Sequence, residues 1–400
     1  MVPPEVAIGT HRGVSAPPPF PWPWNGPENR RLAKVVVCWV FALNLWAVFA
    51  YDVLPISRFS PWGAESDLRA PLFARFDSGW YDSIVRFGYP DPPREGKASA
   101  HAFFPLYPTL ARLVHQSTGV DSFHAALLVT YLCLLLAVPL LAEEARARLG
   151  PGRGEAPLPF LLLYPVSFFL AAVYTESTFL LLALLAFRGV RLRQPGLAAA
   201  CAFLAGLSRA PAAALGPALG LAWLLTHHDD ARRWLRSAAL ALLPLAGVYS
   251  WAFGIGFAKG EPGLFFRSMA AWRVSSGDRL EALVAFFLEP TWLWHRGWFR
   301  DDPQTVLPYV HFVLLLALGA WQVRRRHLPD AAWTFGALAM AVLTGTADGV
   351  PRYSLTVYPL FFALAEVGDR HPRLRRVWFA LSAALLLYNA ALFVNWHFVS

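Results

Sequence analysis

The sequence predicts an all-α polytopic membrane protein. Apolar residues make up 56% of the chain and charged residues only 15%, against about a quarter charged in an average soluble domain. Runs such as "VVVCWVFALNLWAVFAY" (35–51) and "AALLVTYLCLLLAVPLLA" (125–142) approach the ~20 residues that carry a helix across hydrocarbon. The basic residues stand in short clusters between these runs, the pattern by which loops set orientation. The net charge of +9 is therefore loop charge, and a nucleic-acid partner is not expected.

Taken in order, residues 1–33 are proline-rich and open with no apolar core, which predicts a disordered cytoplasmic tail and no cleavable signal peptide. Residues 34–400 then read as a single multi-spanning domain. Eleven candidate spans follow, at about 35–54, 123–142, 158–175, 176–190, 195–208, 210–226, 237–258, 305–322, 329–346, 351–367 and 377–397. The clusters "RARLGPGR" (146–153), "RGVRLR" (188–193), "RRWLR" (232–236), "RRR" (324–326) and "RHPRLRR" (370–376), with Arg30, Arg31 and Lys34, all fall on one side. That side carries 20 Lys and Arg against 10 Asp and Glu, and the other 15 against 16. The rule that cytoplasmic loops are basic puts the N-terminus inside and the C-terminus outside the cell membrane. Two long loops, 55–122 and 259–304, then face outward, and loops of that length usually carry function or structure of their own.

This topology gathers isolated charges at the outer face. Glu176, in "YTES" (174–177), falls at one turn, Arg209, in "GLSRAP" (206–211), at a second, and Asp348 and Arg352, in "TADGVPRY" (346–353), at a third. Asp77, Asp82 and His101 lie on the first outer loop. Ionisable groups beside spanning segments are functional candidates. Each also has a plainer role open to it. Glu176 and Arg209 can pair between helix ends, Arg352 can reach headgroup phosphates, Asp348 can serve a turn, and His101 can be an ordinary loop residue. The three cysteines, Cys38, Cys133 and Cys201, lie inside apolar runs and predict neither disulfide nor metal site.

The stretch "RFDSGWYDSIVRFGY" (75–89) reads as an interfacial amphipathic helix. Trp80, Tyr81, Ile84, Val85 and Phe87 form its apolar face, with Ser78, Asp82, Ser83 and Arg86 opposite. Asp77 falls at an N-cap position, and Asp82 is placed to pair with Arg86 one turn on. The two aspartates lie about 140° apart around such a helix, so they are not a catalytic carboxylate pair. "HAFFPLYPTLARL" (101–113) predicts a second helix returning toward the membrane. Trp292, Trp294 and Trp298 in the second outer loop fit either an aromatic belt or a platform for a sugar face.

Five pieces, in this order and at these distances, resemble the PIG-V family of mannosyltransferases: "RFDSGWYDSIVRFGY", "FFPLYP" (103–108), "YPVSFFLAAVYTESTFLLLALLAF" (164–187), "GLSRAP" and "PRYSLTVYPLF" (351–361). The resemblance spans about residues 70–365. It implies a GT-C type fold, a polyprenyl-phosphate-mannose donor, and Asp77 as the catalytic base. The family more often has Trp where this chain has Phe76. The resulting expectation is mannose transfer to an acceptor hydroxyl on a glycan, glycolipid or protein, outside the membrane and with inversion. Glu176, Arg209, Arg352, His101, Tyr174 and Asp82 are the candidate substrate-binding residues. No Asp-x-Asp pair or His/Cys set stands at ligand spacing, so neither a cofactor nor a required metal is expected; Asp77 with Glu176 leaves a metal open. The rival from another class is a transporter or flippase of a lipid-linked sugar. Such proteins usually carry an internal repeat and a mid-membrane site.

Overall fold

The computed structural model describes residues 19–56, 71–93, 97–271, 307–344 and 349–399. Asp348 and the tryptophans at 292, 294 and 298 lie outside the described residues. Fifteen α-helices are described and no strand among them. In chain order they are α1 (Gly26–Val53), α2 (Ser78–Phe87), α3 (Leu106–Thr118), α4 (Ser122–Leu149), α5 (Leu158–Leu162), α6 (Glu176–Arg191), α7 (Pro195–Gly206), α8 (Leu215–Thr226), α9 (Arg233–Ala258) and α10 (Leu264–Ala271). After these come α11 (Leu307–Arg324), α12 (Leu328–Thr344), α13 (Val350–Thr356), α14 (Pro359–Arg370) and α15 (Pro372–Val394). Short 3-10 turns occupy Ala100–Ala102, Ser167–Ala171 and Ala210–Ala214. Among the described residues, α1, α4, α9, α11 and α15 are each long and apolar enough to cross a membrane. The protein is an all-α polytopic membrane protein.

α1 starts at Gly26, inside the segment read from sequence as tail. Pro27 fits a first helical turn, and Glu28 favours the positive end of the helix dipole. Ion pairs of Glu28 with Arg146 and of Arg31 with Glu155 tie that turn to the body. α4 is the central helix and its apolar stretch is mostly buried. Asp121 caps it, accepting from Phe123 N at 3.1 Å and His124 N at 3.2 Å.

α7, α8 and α9 meet almost backbone to backbone. A β-carbon on Gly206 would lie 2.2 Å from Pro244 O, and one on Gly216 2.1 Å from Ala241 O. Small residues let membrane helices approach this closely.

Two expected spans are broken. Residues 158–175 form α5, a turn and a 3-10 turn rather than one helix. Pro165 cannot donate a helical hydrogen bond and disfavours helix in the residue before it. Tertiary partners satisfy the freed carbonyls: Leu162 O accepts from Trp39 Nε1 (2.8 Å) and Ser167 Oγ (2.7 Å), and Pro165 O from Asn389 Nδ2 (3.0 Å). Irregular backbone within a bundle is tolerated only with such partners. The 351–367 span likewise divides into α13 and α14 ahead of Pro359. The first break brings the turn at 172–175 to the end of the bundle where the candidate charges lie, against Phe73 and just before Glu176.

Candidate active site

α2 leaves its entry loop with Asp77 at the N-cap position, yet the carboxylate makes no capping hydrogen bond. Three strands of contact hold this entry. Val173 N donates to Phe73 O (3.1 Å), Ser78 Oγ donates to Val173 O (3.2 Å), and the Tyr174 hydroxyl donates to Arg75 O (3.2 Å). The broken segment before α6 thus fixes the loop that presents Asp77. Ser78 is fully buried on this account, not solvated as the helical wheel predicts. Phe87 departs the other way: Tyr81, Ile84 and Val85 are buried against the body while Phe87 stands exposed past the last contact. The interfacial helix therefore packs through a narrower stripe than the sequence suggests.

Phe76, just before Asp77, has φ +53°, the left-handed region that bulky side chains seldom occupy. Its ring packs on Phe393, Trp396 and Phe398 of the C-terminal segment. Arg75, also buried, donates from Nε to Val394 O at 3.1 Å and lies 5.1 Å over the Trp396 ring. Burial lowers the Arg75 guanidinium to about 10. Sequence reasoning missed Arg75; its charge two residues before the aspartate was the available signal.

Four ionisable groups meet here. Arg352, on α13, donates from Nε to Glu176 Oε1 at 3.0 Å, with Nη2 in ion-pair contact with the same oxygen at 3.0 Å, and reaches Asp77 Oδ2 from Nη1 at 3.4 Å. Its guanidinium lies 4.7 Å from the centres of both the Phe169 and Tyr174 rings. Arg209 Nη1 stands 3.1 Å from the same Glu176 oxygen. That contact is an ion pair off the hydrogen-bonding line, because neither Nη1 nor Nε of Arg209 has a hydrogen-bond partner although both are buried. Glu176 Oε2 is likewise buried without a partner. Glu176 is wholly buried, whereas Asp77 keeps 31% of its side chain exposed. Burial pushes the Asp77 carboxyl above the usual aspartate range, with Arg352 pulling against it.

The remaining candidates lie apart from this cluster or serve it indirectly. Asp82 pairs with Arg86 at 3.6 Å and accepts from Ser122 Oγ at the head of α4. His101 is fully buried. Its Nε2–H donates to Pro90 O (3.0 Å) and its Nδ1 lies 3.1 Å from Ser99 Oγ, which bonds Ser268 Oγ of α10 at 2.8 Å. Burial lowers this imidazole, so a neutral ring knits the first long loop to α10. Tyr174 spends its hydroxyl on Arg75 O, and so positions the loop. Among the described residues no cluster of three or more His, Cys, Asp or Glu gathers at metal-binding distance.

The architecture has solved counterparts. The chain is similar to the crystal structure of ArnT from Cupriavidus metallidurans bound to undecaprenyl phosphate, with TM-score 0.50 and 17% identity over 84% of this chain and 60% of that one. Against the apo state of ArnT the TM-score is 0.47, at 18% identity over 86% and 62%. For the apo oligosaccharyltransferase of Archaeoglobus fulgidus it is 0.44, at 12% identity over 90% and 55%. The chain spans less than two thirds of the length of these proteins. No protein-family model and no curated protein matches it. What the likeness shows is a shared all-α, polytopic fold.

Proposed function

We propose that this chain is an inverting glycosyltransferase. It moves mannose from polyprenyl-phosphate-mannose to an acceptor hydroxyl at the outer face of the cell membrane. The observation that carries the reading is Arg209, a buried cation with two unspent donors beside a carboxylate cluster. Buried polar groups without partners are rare and call for a ligand or water. A guanidinium in this state suits an anion, and its fork matches phosphate oxygens. ArnT, similar in fold, was crystallised with undecaprenyl phosphate, which agrees with a lipid-phosphate leaving group. The mannose assignment rests on the resemblance of "RFDSGWYDSIVRFGY", "YTES" and "GLSRAP" to PIG-V mannosyltransferases.

The reaction has one displacement. The acceptor oxygen forms a bond to the anomeric carbon as Asp77 takes its proton, and the bond from that carbon to the phosphate oxygen breaks. The electron pair stays on the polyprenyl phosphate, beside Arg209 and Arg352. Cations fixed where charge develops contribute several kcal/mol, because they need no reorganisation. Glu176 holds both guanidiniums in place.

The test is membrane-embedded enzyme, wild type and Asp77→Asn, given labelled polyprenyl-phosphate-mannose. Label in a new glycan, lipid or protein, lost in an Asp77→Asn protein that still inserts, supports the reading. Wild-type rates from Asp77→Asn would sink the base. Label that only changes sides would make the protein a flippase.

A further inference from the structure

α6 starts at Glu176 in the ion cluster and ends at Arg191 after 16 residues, which carries the chain about 24 Å away. At that far end a cavity of about 580 Å³ opens among the last turns of α4, α6 and α8, the start of α12 and the start of α14. The transfer chemistry makes no use of it. Its apolar wall includes Phe187, Tyr358 and Phe362. Two of its arginines are spent on carboxylates: Arg148 on Asp330 (3.0 Å) and Arg191 on Glu144 (2.7 Å).

Two others are available. Arg326 is exposed and has no side-chain partner among the described residues. Arg193 pairs with Asp229 at 2.7 Å, but the pair is more than half exposed on both sides and contributes little in water. Both arginines occupy left-handed backbone, at φ +58° for Arg193 and +61° for Arg326, a conformation rare for such residues. Below them, His227 is 4% exposed and also lines the cavity. Its Nε2–H donates to Val190 O at 2.7 Å, and its Nδ1 is buried without a partner.

We propose that this cavity binds a phosphate ester. The phosphate would meet the guanidiniums of Arg193 and Arg326, and a polar group next to the phosphate would meet His227 Nδ1. The aromatic wall would take an apolar part of the same molecule. Leu225 lines the cavity and is 40% exposed, and Leu328, between two lining residues, is exposed to the same extent. The apolar wall therefore runs to the outside of the bundle, as an acyl chain requires. Basic pockets between spanning helices suit anionic lipid headgroups. The source is either a phospholipid or a soluble phosphate ester, and the site is independent of the transfer reading.

The experiment follows thermal unfolding of the purified full chain in neutral detergent. Titrants are phosphatidylglycerol, phosphatidylcholine and glycerol 3-phosphate. Phosphatidylglycerol should raise the midpoint saturably, and phosphatidylcholine should do so far less. The Arg193→Gln/Arg326→Gln protein should need about 30-fold more phosphatidylglycerol, from roughly 1 kcal/mol for each arginine near an anionic surface. Arg373→Gln/Arg376→Gln, elsewhere among the basic clusters, should leave the titration unchanged. Saturation by glycerol 3-phosphate at equal or lower concentration would support the site and make its ligand a soluble ester. No response to either phosphate, or equal weakening by the control pair, overturns the proposal.

Discussion

Arg209→Ala is the sharpest perturbation of the site. In the wild type this side chain is 8% exposed, with Nε and Nη1 both unbonded. A phosphate at these donors would gain up to two charge-assisted hydrogen bonds, each about 1.5–3 kcal/mol. Measured from free enzyme and donor, the loss from the transition state is taken at the lower end of that range, about 3–4 kcal/mol, near that of one oxyanion donor. The expected fall in kcat/KM is therefore about 10²–10³-fold. The fold should tolerate the change, because Glu176 keeps its hydrogen bond and its ion pair with Arg352, both at 3.0 Å. The assay varies labelled polyprenyl-phosphate-mannose against a fixed acceptor, then the acceptor against fixed donor. Donor dependence should weaken with acceptor preference unchanged, and Arg209→Lys should recover only part of the loss, since an ammonium lacks the fork. A variant within about threefold of the parent would refute the phosphate role, being under 1 kcal/mol.

Glu176→Gln should destabilise the protein by about 3–5 kcal/mol, because it leaves two largely buried guanidiniums with only Asp77 nearby; denaturant titration in micelles measures it. Gly206→Ala should cost about 1–3 kcal/mol by forcing α7 off α9, while Gly196→Ala, with open space around it, should be silent in the same titration. The rate kcat/KM should rise with pH to a plateau, since the proposed base, Asp77, must be deprotonated to act. The raised Asp77 carboxyl puts that acid limb above the ordinary aspartate value of about 3.9. The limb of kcat should lie higher still, because a bound phosphate adds negative charge beside the carboxylate.

The sequence carried the apolar runs, the basic loops and the positions of isolated charges, and from these alone Asp77, Glu176, Arg209 and Arg352 fall at one end of the bundle. It did not carry the break in 158–175. An apolar run looks the same whether its backbone bonds stay inside a helix or go to Trp39, Ser167 and Asn389, residues far away in sequence or of unremarkable type. The wheel for α2 failed at Ser78 for a related reason. Polarity alone marks a residue as solvated, but a hydroxyl is content in the core when a carbonyl such as Val173 O awaits it. The left-handed Phe76 was equally hidden, since its ring is held by residues more than three hundred positions away.

The division of labour between the carboxylates follows from how the cluster balances charge. Two acids and two guanidiniums make it neutral overall, so burial does not leave a net charge. The attraction is shared unequally, however. Glu176, wholly buried, takes both arginines at 3.0–3.1 Å, and a carboxylate held that way is a poor proton acceptor. Asp77 has one contact at 3.4 Å and keeps 31% of its side chain open. Of the two acids, Asp77 is the one with an open face, which is what the proposed base requires. Its lack of a capping bond to α2 leaves both carboxylate oxygens free of the helix, which a residue serving only as a cap would not show. In the proposed reaction, therefore, Glu176 would set where the cations stand and Asp77 would be the acid left free to react.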